Sequence, residues 1–129
     1  MTKLYDTQVA VYSRLQTNEV LKNVGVYDYI DDNRVFPYVV LGRVFSTPER
    51  TKTTDGERIE ITLDIWSGYN GKKETIDIMK LIEQALDDEL MIDGADVITQ
   101  EVKNREAFEV ADSLYKGTIV YEILLDTEE

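Results

Sequence analysis

Carboxylates are the side chains of this sequence with the most scope for chemistry. Asp28, Asp31 and Asp32 fall close together, as do Asp87, Asp88 and Glu89. Oxygen ligands so spaced suit Mg²⁺ or Ca²⁺. Neither cluster has EF-hand spacing, and the stretch DGADVITQE, Asp93 to Glu101, fails it too. The first cluster reads more simply as turn chemistry, because Asp and Asn bond their own backbone in turns. The second follows an expected helix end, where the dipole disfavours negative charge, so something elsewhere must compensate it. A carboxylate-pair hydrolase needs one acid raised in a cleft, and no spacing here singles out such a pair.

The 129 residues include no histidine and no cysteine. Ser–His and Cys–His catalysis are thereby excluded, as are imidazole and thiolate metal sites. The stretch SGYNGKKET precedes an expected helix but lacks Walker spacing. Its amides with Lys72 and Lys73 could hold an anion; helix capping beside solvated lysines explains it with less. No metal, cofactor or catalytic residue is expected. The formal charge of −12, from 26 acidic and 14 basic residues, argues against gripping nucleic acid, which needs clustered Lys and Arg. It also argues against anionic membranes. No run is long and apolar enough to span a bilayer, and the N-terminus lacks signal-peptide features. The cytoplasm is the expected compartment.

The length suggests one domain, residues 1–129. Tyr5 to Lys22 reads as helix, with Leu4, Val9, Val11, Tyr12, Leu15, Val20 and Leu21 as its apolar stripe and Asn18 as a point where it could divide. Gly25 ends it. A short strand is expected near Val26 to Tyr29 and a turn at Asp31 to Asn33. Tyr38 to Ser46 reads as a strand apolar on both faces: Val39, Leu41 and Phe45 on one, Tyr38, Val40 and Val44 on the other. Such a strand is usually covered on both sides. Glu57 to Trp66 alternates strictly, with Ile59, Ile61, Leu63 and Ile65 inward. Between them Ser46 to Gly56 is a long polar loop, expected to project and to be functional.

A second helix follows, with Asn70 or Gly71 as N-cap and Ile78, Leu81, Ile82, Ala85 and Leu86 buried. A turn at Asp93-Gly94 leads into a strand over Val97 to Lys103. Arg105 to Ser113 has no clear period. The last strand sets Ile119, Tyr121, Ile123 and Leu125 on one face. Tyr38, Phe45 and Tyr121 are expected in the core; Tyr29 and Trp66 are expected at its edge or at an interface. The class is α+β: a mostly antiparallel β-sheet packed against two helices, with a long projecting β-hairpin loop.

FPYVVLGRV (Phe36 to Val44), ITLDIWSGYNGKKE (Ile61 to Glu74), the helix after it and a last strand of the GTIVYEILL kind together resemble the tail-completion, or tail terminator, proteins of long-tailed bacteriophages. The resemblance covers nearly the whole chain. It implies a structural virion protein that caps the head-proximal end of the tail tube as a ring, expected to hold six copies. Its implied partners are further copies of itself, the tail tube protein and a head-completion or connector protein, while DNA passes through without specific binding. It implies no catalysis and no membrane, and a location in the virion after assembly in the host cytoplasm. Head-to-tail contacts that close after a fixed rotation make such rings. The docking surface is expected at Glu49, Arg50, Lys52, Thr54 and Asp55 of the loop, with Arg43, Arg58 and Trp66 on the flanking strands, since Arg and Trp favour interfaces. Two other readings stay open. One is another neck or head-closure component. The other is a small acidic enzyme or ligand-binding module using Tyr27, Tyr29 and the Asp28–Asp32 cluster.

Overall fold

The chain is described from a computed structural model, which covers residues 1–29, 35–50 and 55–127. The elements run α1 (Leu4–Gln16), α2 (Glu19–Val24), β1 (Val26–Tyr27), β2 (Tyr38–Arg50), β3 (Asp55–Ser67), α3 (Lys73–Ala85), β4 (Asp96–Ala111) and β5 (Leu114–Thr127). The expected Asp31–Asn33 turn, and Lys52 and Thr54, lie outside the described residues.

The strands form one sheet in the order β1-β2-β3-β5-β4. Every pairing is antiparallel except β1 with β2. The strict alternation of β3 does what it predicts. Ile59, Ile61, Leu63 and Ile65 are buried, and so are Ile119, Tyr121, Ile123 and Leu125 of β5. These rows meet Val11 and Leu15 of α1, Leu21 of α2, and Ile78, Met79 and Ile82 of α3 in one core. All three helices thus lie against the same face. The alternate residues of β3, Arg58 to Trp66, are half-exposed, and among the described residues no helix covers that opposite face.

The first helix divides at Asn18, whose side chain accepts from the Leu21 amide at 3.0 Å and caps α2. Val9, Tyr12 and Val20, expected in the apolar stripe, are exposed; α1 buries Thr7, Val11 and Leu15 instead, and α2 buries Leu21. The third helix starts at Lys73 with no side-chain cap, so neither Asn70 nor Gly71 fills the expected role. Gly71 instead takes φ +92°, where an L side chain is strained, and Asn70 accepts from the Ser113 hydroxyl. Leu81 and Ala85 pack at the core margin rather than inside it.

Two segments differ more from expectation. Of the expected Ser46 to Gly56 loop, the described residues are strand: Ser46 to Arg50 pair residue by residue with Ile59 to Asp55. Strand β5 accompanies β3 down to Asp55↔Thr127. Arg105 to Ser113 is the far half of β4 and its turn into β5. Pairing continues to Ala111↔Leu114, with Ser113 at φ 57°.

The backbone that follows α3 is held by α1. The Arg14 guanidinium donates to the Asp88 carbonyl at 2.8 Å and the Glu89 carbonyl at 3.0 Å. Gln100 of β4 donates to the Leu86 and Asp88 carbonyls at 2.8 and 2.7 Å. The Tyr121 hydroxyl adds a 2.6 Å bond to the Leu86 carbonyl, and burial raises that phenol above its ordinary pKa. Carbonyls of the α3 C-cap and of the turn beyond it are thus satisfied from three elements. At the other end Glu57, almost fully buried, accepts from the Lys3 amide at 2.7 Å and from the Thr2 hydroxyl. It anchors the chain start beside the first turn of α1, where negative charge is favourable.

Candidate assembly surface

A one-residue irregularity decides what the helix-free face contains. Leu41 pairs with Leu63 and Val44 with Ile61, so Gly42 and Arg43 together oppose Thr62. This is a β-bulge, and it reverses the alternation beyond it. Val44 joins Val39 and Leu41 on the helix side, while Phe45 turns to the open face and is 42% exposed. Phe45 is therefore not a core residue, and Tyr38 is only half-buried. Gly42 permits the bulge: a Cβ there would lie 2.7 Å from Asp64 Oδ2 and 3.2 Å from the Thr62 carbonyl oxygen.

Across this face runs a chain of charges. Arg58 Nε donates to Glu49 Oε1 at 2.8 Å and its Nη1 to Glu122 Oε1 at 2.5 Å. Lys103 Nζ reaches Glu122 Oε2 at 3.3 Å and donates to Glu60 as well. The bond to Glu49, then that to Glu122, raises the Arg58 pKa. The bond to Glu60 leads in raising that of Lys103. Glu122 is almost fully buried between the two cations, as a carboxylate taken from water requires. At the far end Lys116 stands 5.1 Å from the centre of the half-buried Trp66 ring and 3.9 Å from Asp64. The surface is thus broad, pre-paired and mixed in character, an arrangement suited to meeting another protein without freeing charges.

The expected surface residues divide between the two faces. Glu49, Arg58 and Trp66 lie on the helix-free face, and Arg43, in the bulge, stacks on Phe45 at 5.1 Å from its centroid. Arg50 and Asp55 pair with each other at 3.0 Å beside Met1, Thr2 and Glu57, on the helix side. Sequence reasoning missed Glu60, Lys103 and Glu122. It also missed the fork of Arg105 on Glu83, whose shortest contact of 2.7 Å ties β4 to α3. Only the i, i+2 alternation of charges along β3 pointed to this face. The pocket expected at Tyr27 and Tyr29 is a shallow groove between α1 and β1, also lined by Tyr5, Tyr12 and Asp28. Tyr29 itself is exposed. Among the described residues no group of three Asp or Glu could hold a metal ion, and no helix is long and apolar enough to cross a membrane.

The family described as tail completion protein gp17 matches residues 9–126. The chain belongs to that family. It is 30% identical over 86 residues to the tail completion protein gp17 of Bacillus phage SPP1. That alignment takes in 66% of the chain and 63% of the relative, so less than two-thirds of the relative's length is spanned. The solved structure of the bacteriophage SPP1 gp17 protein superposes with a TM-score of 0.61 at 26% identity, covering 90% of this chain and 86% of the other. A chain in the virion of a native gene transfer agent particle shares the fold with a TM-score of 0.82 at 19% identity, covering 92% and 93%. Family membership makes this a structural protein of the phage tail, located in the virion.

Proposed function

We propose that copies of this chain close a ring on the head-proximal end of a tail tube, end its growth and present the surface that the head connector joins. The observation that carries this reading is the family match over residues 9–126. The pre-paired helix-free face supports it, as a surface built for protein contact rather than for chemistry. No catalytic step is involved. The partners are other copies, six in a ring, then the tail tube protein and a head-completion protein. DNA passes through without being gripped. The −12 charge then has a use, since carboxylates along a narrow channel repel phosphates within a screening length of about 8 Å.

The test is complementation in vitro. Tails assembled without this chain are mixed with the purified protein and then with DNA-filled heads. Tube growth should stop and heads should attach. Continued growth and unattached heads in the presence of folded protein would contradict the reading.

A further inference from the structure

The described arginines are not used alike. Arg14, Arg50, Arg58 and Arg105 are all bound within the chain. Arg43 is exposed, and among the described residues no carboxylate lies within ion-pair distance of it. It stands on an exposed Phe45 on β2, beyond Val39 and Val40, the β2 residues with which β1 pairs among the described residues. An Arg stacked on an aromatic is a typical anchor of a protein interface. The opposite edge of the sheet is β4. There Glu101 and Glu106 are exposed and, among the described residues, make no ion pair, while Lys103 and Arg105 between them, themselves exposed, are already paired, Lys103 with Glu60 and Glu122 and Arg105 with Glu83.

The register sets these features at one height. Val44 aligns through Ile61 and Tyr121 with Val102, and Leu41 through Leu63 and Ile119 with Arg105. Arg43 therefore stands level with the stretch of β4 between Glu101 and Glu106. Two different edges at equal height, one with an unpaired cation and one with unpaired carboxylates among the described residues, suit a head-to-tail contact that closes instead of spiralling. Neither edge invites a continuous strand ladder. β4 carries three register shifts, and β2 has its bulge and Pro48. Such devices protect edges from backbone pairing and leave contact to side chains.

We infer that the β2 edge of one copy docks against the β4 edge of the next, with Arg43 set between Glu101 and Glu106 of its neighbour. This rests on the ring reading above. The occupant is a second copy because this chain supplies both charges, at edges that cannot meet within one molecule.

The chain has no cysteine, so pairs can be introduced cleanly. Thr47 and Thr99 are exposed and level with each other, through Arg58 and Leu124. Within one copy they stand three strand spacings apart, about 14 Å. Thr47→Cys with Thr99→Cys, treated with a shorter bismaleimide on capped tails, should give a ladder of covalent multimers. Either cysteine alone should give none. Arg43→Glu should abolish capping, and adding Glu101→Arg and Glu106→Arg should restore it. Capped, head-joined tails without a ladder would overturn the edge contact and leave the ring reading standing. A dimer from Thr47→Cys alone would overturn it too, since that contact is two-fold. Unmodified chain that fails to cap tails would instead remove the ring reading itself. Loss of head joining alone on Arg43→Glu, with capping intact and no ladder, would reassign Arg43 to a different protein.

Discussion

Replacing Gly117 by Ala tests how α3 is seated on the sheet. Gly117 is buried in β5 opposite Ile65. The first turn of α3 rests directly on it. A Cβ at Gly117 would lie 2.4 Å from Thr75 Cγ2, 3.4 Å from Met79 Cε and 3.5 Å from Ile65 Cβ. The first distance is well inside van der Waals contact, and Thr75 is fully buried, so neither group can move aside freely. Overpacking of this kind costs about 1–3 kcal/mol. At about 2.1 cal/mol/K per residue, unfolding this chain carries an entropy of about 270 cal/mol/K, so a loss of about 2 kcal/mol lowers Tm by about 7 °C. The Thr75 hydroxyl has no hydrogen-bond partner among the described residues. Thr75→Ala therefore removes both the clashing methyl and an unsatisfied buried group, and alone should change stability by less than about 1 kcal/mol. Calorimetry on the two single variants and the double variant completes the cycle. The double variant should regain most of the loss. An unchanged Tm for Gly117→Ala, or simple additivity in the double variant, would refute the packing argument.

Other outcomes follow from the same contacts. Asn18→Ala removes the α2 cap and should cost about 1 kcal/mol by chemical denaturation, with Asn18→Asp nearly neutral. Arg58→Ala deprives buried Glu122 of one of its two cations and should destabilise more than Arg50→Ala, whose pair is exposed; equal midpoints in urea would contradict this. Burial raises the Tyr121 pKa from 10.0. Its stabilising share is complete below pH 10 and falls as pH rises through the folded value, so Tyr121→Phe should flatten the alkaline limb of a stability profile. In dilute solution sedimentation should find a monomer, because rings formed away from the tube would compete with tube ends; hexamers at every concentration would contradict that.

What the sequence revealed follows the physics of each element. Strands β3 and β5 were legible because one face is buried along most of their length, so an apolar residue recurs at every second position from Ile59 to Ile65 and from Ile119 to Leu125. Strand β2 misled because its bulge exchanges the faces of Val44 and Phe45, and no local residue preference announces that. Ser46 to Gly56 resembled a loop for its Pro, Thr and charges. Its described residues are instead paired, Ser46 to Arg50 on a strand whose far half is largely exposed and so carries little pattern. Strand β4 was half missed for a similar reason: it is exposed along most of its length, and three register shifts interrupt its period. On the helix-free face lie Arg43, Glu49, Arg58 and Trp66, which residue type alone had singled out. Glu60, Lys103 and Glu122 were missed, because their meeting depends on the register of β3, β5 and β4 together. Arg14 behind Asp88 and Glu89 joins residues more than seventy positions apart, and only the electrostatic problem at the helix end hinted at it.

The central claim is best tested by deleting the gene for this chain from the particle that encodes it and viewing the lysate by negative-stain microscopy. DNA-filled heads without tails should stand beside free tails of irregular length, with both defects reversed when the intact chain is supplied. Joined particles of normal tail length in the deletion would contradict it.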